Sequence, residues 1–280
     1  MPRLLITGVS GYLGTAVAAR AAGEGWDVAG TFLRRPPGHA GARGVRAVRL
    51  DVRDERAVAA LIAAERPDAV IHTAYVQDGP DALAVNAGGA AHVAAATAAD
   101  GVRLVHLSSD AVFAGDLGRG LREDDPVDPV TAYGATKAAA EAAVARADPG
   151  ALAVRTSLLF GGPGRPPSKH EQLAHAAARG EREVAFFADE IRCPAQVDDL
   201  AGALLELAAA RRAGVLHVAG ADALDRHAFA RLCAAAAGLD PGRLTAGTRP
   251  PGRPGDCTLD CSRARALLAT RLRGARAVLG

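Results

Sequence analysis

The chain has 280 residues, 49% of them hydrophobic and 4% aromatic, and its 33 basic and 31 acidic residues leave a formal net charge of +2. This length suits one large domain or one domain with an appendage, with a core packed mainly from Ala, Val and Leu. Balanced charge without a basic block gives a nucleic-acid role no electrostatic support, and apolar runs such as Val93 to Ala99 are too short to span a membrane.

Met1-Pro2-Arg3 leads straight into Leu4-Leu5-Ile6-Thr7-Gly8, which reads as a first strand and not as a signal peptide, so the expected compartment is the cytoplasm. Arg3–Thr7 is a predicted strand and Tyr12–Gly23 a helix. Strands at Asp27–Thr31 and Val45–Val52 follow, then a helix at Glu55–Glu65, a strand at Ala69–His72 and a long helix at Asp81–Ala99. Arg103–Ser108 is the fifth strand, Tyr133–Ala147 a helix and Leu152–Arg155 the sixth strand. Wholly apolar strands, each followed by a helix, indicate a parallel sheet covered on both faces. The fold class is therefore α/β, a doubly wound parallel sheet of the Rossmann kind.

After Phe160 the pattern changes. Gly161–Pro167 is a Gly- and Pro-rich loop. Helices are predicted at Glu171–Arg179, Asp198–Arg211 and His227–Gly238, with short strands at Val184–Phe187 and Val215–Ala219. Thr248–Asp256 reads as a loop, and Ser262–Thr270 as a helix that ends the chain. The expected organisation is a dinucleotide-binding domain over 1–160 with returns around 195–219. A small substrate-binding region takes 161–194 and 220–280. Of the four cysteines, Cys257 and Cys261 are spaced C-x3-C, but no second pair or His cluster accompanies them, so no metal is expected.

Gly8, Gly11 and Gly14 fall as G-x-x-G-x-x-G between the first strand and the first helix. A tight turn there needs Gly backbone angles, and a missing side chain lets a pyrophosphate approach the backbone. The helix N-terminus beyond offers free N–H groups and a positive dipole end. Gly8, Ser10, Gly11, Tyr12, Leu13 and Gly14 are thus the candidate cofactor cradle. The second strand ends in Thr31-Phe32-Leu33-Arg34-Arg35, with no carboxylate for a ribose 2′-hydroxyl. Guanidinium groups suit a 2′-phosphate, which favours NADP(H) over NAD(H). Asp51 and Val52, closing the third strand, are candidates for the adenine amino group.

Tyr133-Gly134-Ala135-Thr136-Lys137 is a Y-x-x-x-K motif, and its i, i+4 spacing on a helix puts both side chains on one face. A free tyrosine, with a pKa of about 10, is a poor acid at neutral pH. A neighbouring ammonium favours the phenolate and lowers that value. Tyr133 can then protonate a carbonyl oxygen while hydride reaches the carbon. Ser108-Ser109-Asp110 ends strand five, at the edge where ligands bind in such sheets. His106, inside that strand, reads as a core histidine. Arg165, Lys169, Arg192 and Arg253 are the candidate cations for a substrate diphosphate.

These motifs resemble the extended short-chain dehydrogenases/reductases. Within them, the chain is similar to the dTDP-4-dehydrorhamnose reductases and their sugar-nucleotide-binding relatives. The resemblance runs through Leu5-Ile6-Thr7-Gly8, Pro67 to Ala74, Val85-Asn86-Ala87, Leu104 to Phe113, Glu123 to Pro126, Tyr133 to Lys137, Arg155-Thr156-Ser157, Val197 to Ala201 and Leu259 to Ser262. It implies Ser109, Tyr133 and Lys137 as catalytic residues, backbone around Ala74 beside the cofactor, and a largely structural Asn86. It also implies Ser109, Asp110 and Arg192 at the substrate. The implied function is NADPH-dependent reduction of a keto group on a sugar, a nucleotide-linked 4-keto-deoxysugar, by a monomer or homodimer. Alternatives are a nucleotide-sugar epimerase or dehydratase that retains NAD, a ketoreductase for an aminosugar or other secondary metabolite, and a non-catalytic nucleotide-binding regulatory subunit. The chain departs from the resemblance in a short Tyr75–Asp81 segment, in Leu158 after Arg-Thr-Ser, and in the Pro-rich 161–167 loop.

Overall fold

The computed structural model describes residues 1–38 and 44–280. In chain order the first elements are β1 (Arg3–Thr7), α1 (Tyr12–Gly23), β2 (Asp27–Phe32), β3 (Val45–Arg49), α2 (Glu55–Glu65) and β4 (Ala69–His72). A π-helical turn at Ala84–Gly88 leads into α3 (Gly89–Ala99), followed by β5 (Arg103–Ser109), a 3₁₀ turn at Asp110–Val112, α4 (Ala132–Ala147) and β6 (Leu152–Thr156). Then come β7 (Leu159–Phe160), α5 (Lys169–Ala178), β8 (Ala185–Phe187), β9 (Ile191–Arg192), β10 (Ala195–Gln196) and α6 (Val197–Ala209). The chain ends through β11 (Gly214–His217), β12 (Leu224–Asp225), α7 (Arg226–Ala236), β13 (Thr245–Gly247), α8 (Ser262–Leu267) and α9 (Ala275–Leu279).

Seven strands form one sheet in the order β11-β6-β5-β4-β1-β2-β3. β1 pairs in parallel with both β2 and β4, Thr7 lying opposite Thr31 on one side and His72 on the other. The strand order therefore reverses at β1, and the residues just after Thr7 occupy the switch point where open α/β sheets bind ligands. β4 is buried along its whole length and β1 along all but its first residue, as an apolar strand covered on both faces should be.

The described residues fall into two compact units. The first comprises Met1–Ser109, Ala135–Val154 and Ala201–Leu216; the second comprises Asp110–Gly134, Arg155–Leu200 and His217–Gly280. The stretch Asp110–Gly134, expected within the cofactor domain, clusters with the second unit. The first unit packs Leu5, Val70 and Leu104 of the sheet against Ile62 of α2, Val93 of α3 and Val144 of α4. The second has its own core of Phe160, Ala174, Phe186, Phe229, Cys233, Leu244 and Leu279, with the rings of Phe160 and Phe229 meeting edge to face at 5.7 Å.

Local chemistry explains several boundaries. Asp54 caps α2 by accepting from the Ala57 N–H, and Asp225 does the same for α7 through Ala228. Ser168 and Glu171 form a capping box on α5, and the buried Glu171 carboxylate also accepts from the N–H groups of Gly161 and Gly162. The Gly- and Pro-rich loop is thus tied down by one side chain at its far end. The expected helix Asp81–Ala99 is interrupted by the π turn because the Asn86 amide bonds both the N–H and the carbonyl of Val76, at 2.9 Å each. The last expected helix stops at Leu267, and a separate α9 closes the described chain. Three two-stranded sheets, β7–β10, β9–β12 and β8–β13, complete the strands; β8 falls within the expected strand Val184–Phe187, and the others are too short to leave a periodic signal.

All four cysteines, Cys193, Cys233, Cys257 and Cys261, are free and buried in the second unit. Burial raises each thiol, Cys193 to about 11 and Cys257 and Cys261 to about 12. Among the described residues no group of three or more His, Cys, Asp or Glu side chains is placed to hold a metal ion, and no helix is long and apolar enough to cross a membrane.

Candidate active site

The Gly loop is built by backbone that leaves no room for side chains. Gly8 sits at φ +76, and a Cβ there would lie 2.9 Å from the Cα of Ala74. A Cβ on Gly14 would lie 2.3 Å from the Gly8 carbonyl oxygen, so α1 begins pressed against the turn that precedes it. Gly30 in β2 is filled in the same way by the Val9 side chain, whose Cβ would be 2.6 Å away. Gly11 is the N-cap residue of the twelve-residue α1, and no side chain caps that end. The positive end of the helix is left to an anion arriving from outside the chain. This is the fit a dinucleotide pyrophosphate requires, and the expected cradle residues Gly8, Ser10, Gly11, Tyr12, Leu13 and Gly14 span this turn and the start of α1.

At the end of β2, Arg34 and Arg35 are exposed. Asp51 is half-buried and both of its oxygens accept from Arg53, at 3.0 Å to Nε and 2.7 Å to Nη2. That hydrogen bonding holds the Asp51 carboxyl below its ordinary value. Val52 is buried, its carbonyl bonded by the ring of His92. Any contact from Asp51 to an adenine would share a carboxylate already engaged.

Lys137 is the most unusual charge in the first unit. It is 4% exposed, on one turn of α4 beyond Tyr133, and its Nζ donates to the Leu107 carbonyl of β5 at 2.5 Å. Burial pulls the ammonium down to about 8, partly opposed by Glu141 one turn further along the helix. Glu141 in turn accepts from the Ser108 hydroxyl. Asn86 donates to Thr136 at 2.9 Å, so the π turn and α4 are joined beside the lysine. The sheet below carries two buried histidines opposite each other, His72 in β4 and His106 in β5, with ring centroids 5.3 Å apart. His72 bonds the Thr7 hydroxyl at 2.6 Å, while both ring nitrogens of His106 lack a partner. Burial, then the Lys137 charge, pushes His72 down to about 3 and His106 well below its ordinary value, so both are neutral. Ser109 is half-buried at the end of β5.

Tyr133, half-buried, belongs to the second unit together with Asp110 and Arg192. Asp110 is buried and accepts from the Ser157 hydroxyl at 2.5 Å. It also pairs with Arg192 at 3.1 Å. Arg192 shares the fully buried Glu190 with Arg226 and Arg253, at 3.4, 3.3 and 2.7 Å. Burial alone would raise Glu190, but the hydrogen bond from Arg253 and the three positive charges hold it below the usual carboxylate range. Arg165, another sequence candidate for substrate phosphate, is paired with Asp198. His170 is driven down to about 3 by burial and by Arg226, Lys169 and Arg192. Of the cationic candidates, Arg165, Arg192 and Arg253 are therefore each paired with a carboxylate. Ser157 and Arg226 received no role from the sequence because their partners, Asp110 and Glu190, lie 47 and 36 positions away.

The family model described as the RmlD substrate binding domain matches residues 2–279. A dTDP-4-dehydrorhamnose reductase of Mycolicibacterium smegmatis is 35% identical over 292 residues, covering 99% of this chain and 84% of its own. The crystal structure of a hypothetical dTDP-4-dehydrorhamnose reductase from Sulfolobus tokodaii is 29% identical with a TM-score of 0.82, covering 97% of this chain and 96% of that one. The structure of MoeE5 in complex with UDP-glucuronic acid and NAD is 26% identical with a TM-score of 0.83, covering 99% and 96%. The chain belongs to the RmlD substrate binding domain family, a branch of the extended short-chain dehydrogenases/reductases.

Proposed function

We propose that this chain reduces a keto group on a nucleotide-linked sugar, a 4-keto-deoxysugar, using NADPH. The observation that carries the reading is Lys137, an ammonium buried one helical turn after Tyr133 that donates to the backbone carbonyl of Leu107. A buried cation is expensive, which marks it as a candidate for function, and here it can stabilise a phenolate on the same helix face. The Gly8–Gly14 cradle and the uncapped start of α1 support a dinucleotide beside it.

The bound nicotinamide would supply hydride. Tyr133 gives its phenolic proton to the carbonyl oxygen as negative charge develops there. Lys137 lowers the cost of the phenolate left behind and can donate to the cofactor ribose. Ser109 holds the carbonyl oxygen in line. Gly8, Gly11 and Gly14 admit the pyrophosphate, Ala74 backbone lines the same cradle, and Asp51 and Val52 stand at the adenine end. Arg34 and Arg35 favour the 2′-phosphate of NADPH over NADH. The sugar substrate is the only partner this reading needs, with the protein acting in the cytoplasm as a monomer or homodimer.

Cofactor titration on purified protein tests the reading first. NADPH is expected to bind more tightly than NADH, and the preference should vanish in Arg34→Ala/Arg35→Ala. Tyr133→Phe should lose roughly 10²–10⁴-fold in turnover with cofactor binding intact. NAD that co-purifies with the protein would instead bring the epimerase reading forward, and equal inertness of wild type and Tyr133→Phe would leave a binding role.

A further inference from the structure

The 3₁₀ turn at Asp110–Val112 begins at the residue after Ser109. It is held from four directions within the second unit. Asp110 is gripped by Ser157 at 2.5 Å and by Arg192 at 3.1 Å. The Phe113 N–H closes the turn on the Asp110 carbonyl at 3.1 Å, and the Val112 carbonyl accepts from Asp128 at 3.0 Å. On its remaining side the turn meets Gly134. A Cβ on Gly134 would stand 2.0 Å from the Ala111 carbonyl oxygen, well inside any real contact. Gly134 is the residue after Tyr133. One short turn thus fixes the chain as it leaves the candidate serine and abuts the chain as it leaves the candidate tyrosine.

We infer that the Asp110–Val112 turn is a spacer that sets the Tyr133 phenol for proton transfer, and that Asp110, Ser157, Arg192 and Gly134 are positioning residues for it. The inference rests on the catalytic reading of Ser109 and Tyr133 proposed above. In this role Asp110 and Arg192 bind each other and not the substrate. Arg192 is itself anchored by Glu190, so the turn is tied to a buried ion cluster instead of to a mobile surface charge. Gly134 is required for closeness of approach, not for an unusual backbone angle. Any side chain there must push the first turn of α4, and Tyr133 with it, away from Ala111. Misplacement of a reacting group by about 1 Å can lower turnover by roughly 10²-fold.

The test compares Gly134→Ala, Ser157→Ala and Arg192→Gln with Tyr133→Phe, measuring kcat and KM with a nucleotide-linked 4-keto-6-deoxysugar, NADPH affinity by titration, and the melting temperature. Gly134→Ala should lower kcat about 100-fold and Ser157→Ala about 10-fold, with KM and NADPH affinity within about threefold of wild type. Should Gly134→Ala fail to fold, Ser157→Ala decides. Wild-type kcat in folded Ser157→Ala and Arg192→Gln, with Tyr133→Phe inert, overturns the spacer alone. An Arg192→Gln defect confined to KM makes Arg192 a substrate contact and also overturns it. Wild-type turnover in Tyr133→Phe sinks the underlying catalytic reading instead.

Discussion

The two units handle charge in opposite ways. In the first, ion pairs stay at the exposed edges, such as Arg46 with Glu65 and Arg53 with Asp51, and the interior, with uncharged polar side chains such as His72, His106 and Asn86, holds one buried ammonium, Lys137. In the second, buried carboxylates are the fastenings: Glu190 with three arginines, Asp110 with Arg192, and Asp199 with Arg273. The difference follows from backbone. A seven-stranded sheet satisfies and aligns its own peptide groups, so apolar packing suffices to hold it. The strands wholly within the second unit are two or three residues long, set among long irregular segments, and polar side chains fix what no ladder fixes. A buried charge in the first unit is therefore an exception with a purpose, whereas in the second it is a structural element.

Removing the hub of the second unit should break that contrast most sharply. Glu190→Gln leaves Arg192 and Arg226 buried with too little negative charge, and the expected loss is about 3–5 kcal/mol in urea denaturation. A loss below about 1 kcal/mol would show that the cluster is no fastening. The reverse is expected for the buried ammonium of the first unit. Its drop from 10.5 to about 8 on folding costs on the order of 3 kcal/mol at neutral pH, because the unfolded chain holds the proton more tightly. Lys137→Met should thus gain about 1–3 kcal/mol at pH 7 while losing turnover. Wild-type stability should rise between pH 8 and 10.5 as the unfolded state alone keeps its proton, and that rise should be missing from the variant.

A smaller effect is expected at His106. With its folded value depressed, its contribution is complete above pH 6.5 and is lost as pH falls below that, since only the unfolded imidazole takes up the proton. His106→Phe keeps a ring against His72 and leaves no nitrogen unpaired, so it should be near neutral at pH 7 and shallower in its acid-induced loss of stability between pH 6.5 and 4. An unchanged slope would count against a neutral buried His106. The smallest change belongs to the exposed pair, where Arg46→Ala should alter stability by under about 1 kcal/mol in the same denaturation assay.

What the sequence revealed follows from distance along the chain. The glycine loop and Tyr133-x-x-x-Lys137 are local patterns, each spelled out within eight residues. The apolar strands announced the sheet for the same reason. The π turn was hidden because it depends on Asn86 reaching Val76, a bond with no periodic signature. Arg192 was picked out as a cation, but its partner Asp110 is 82 positions earlier, and Ser157 meets that aspartate across 47. A free cation and a committed one look alike in sequence. Gly134 was visible as a letter in the motif, and only the Ala111 carbonyl beside it gives the letter a reason.

The four sheltered thiols have a practical consequence. Because burial both hides them and holds them protonated at neutral pH, maleimide or iodoacetamide chemistry should pass them by. A cysteine installed on an exposed position, such as Leu83 or Leu117, would then be the fast-reacting thiol in an otherwise unaltered chain. A dye placed there could follow cofactor capture in real time without first stripping the protein of its native cysteines.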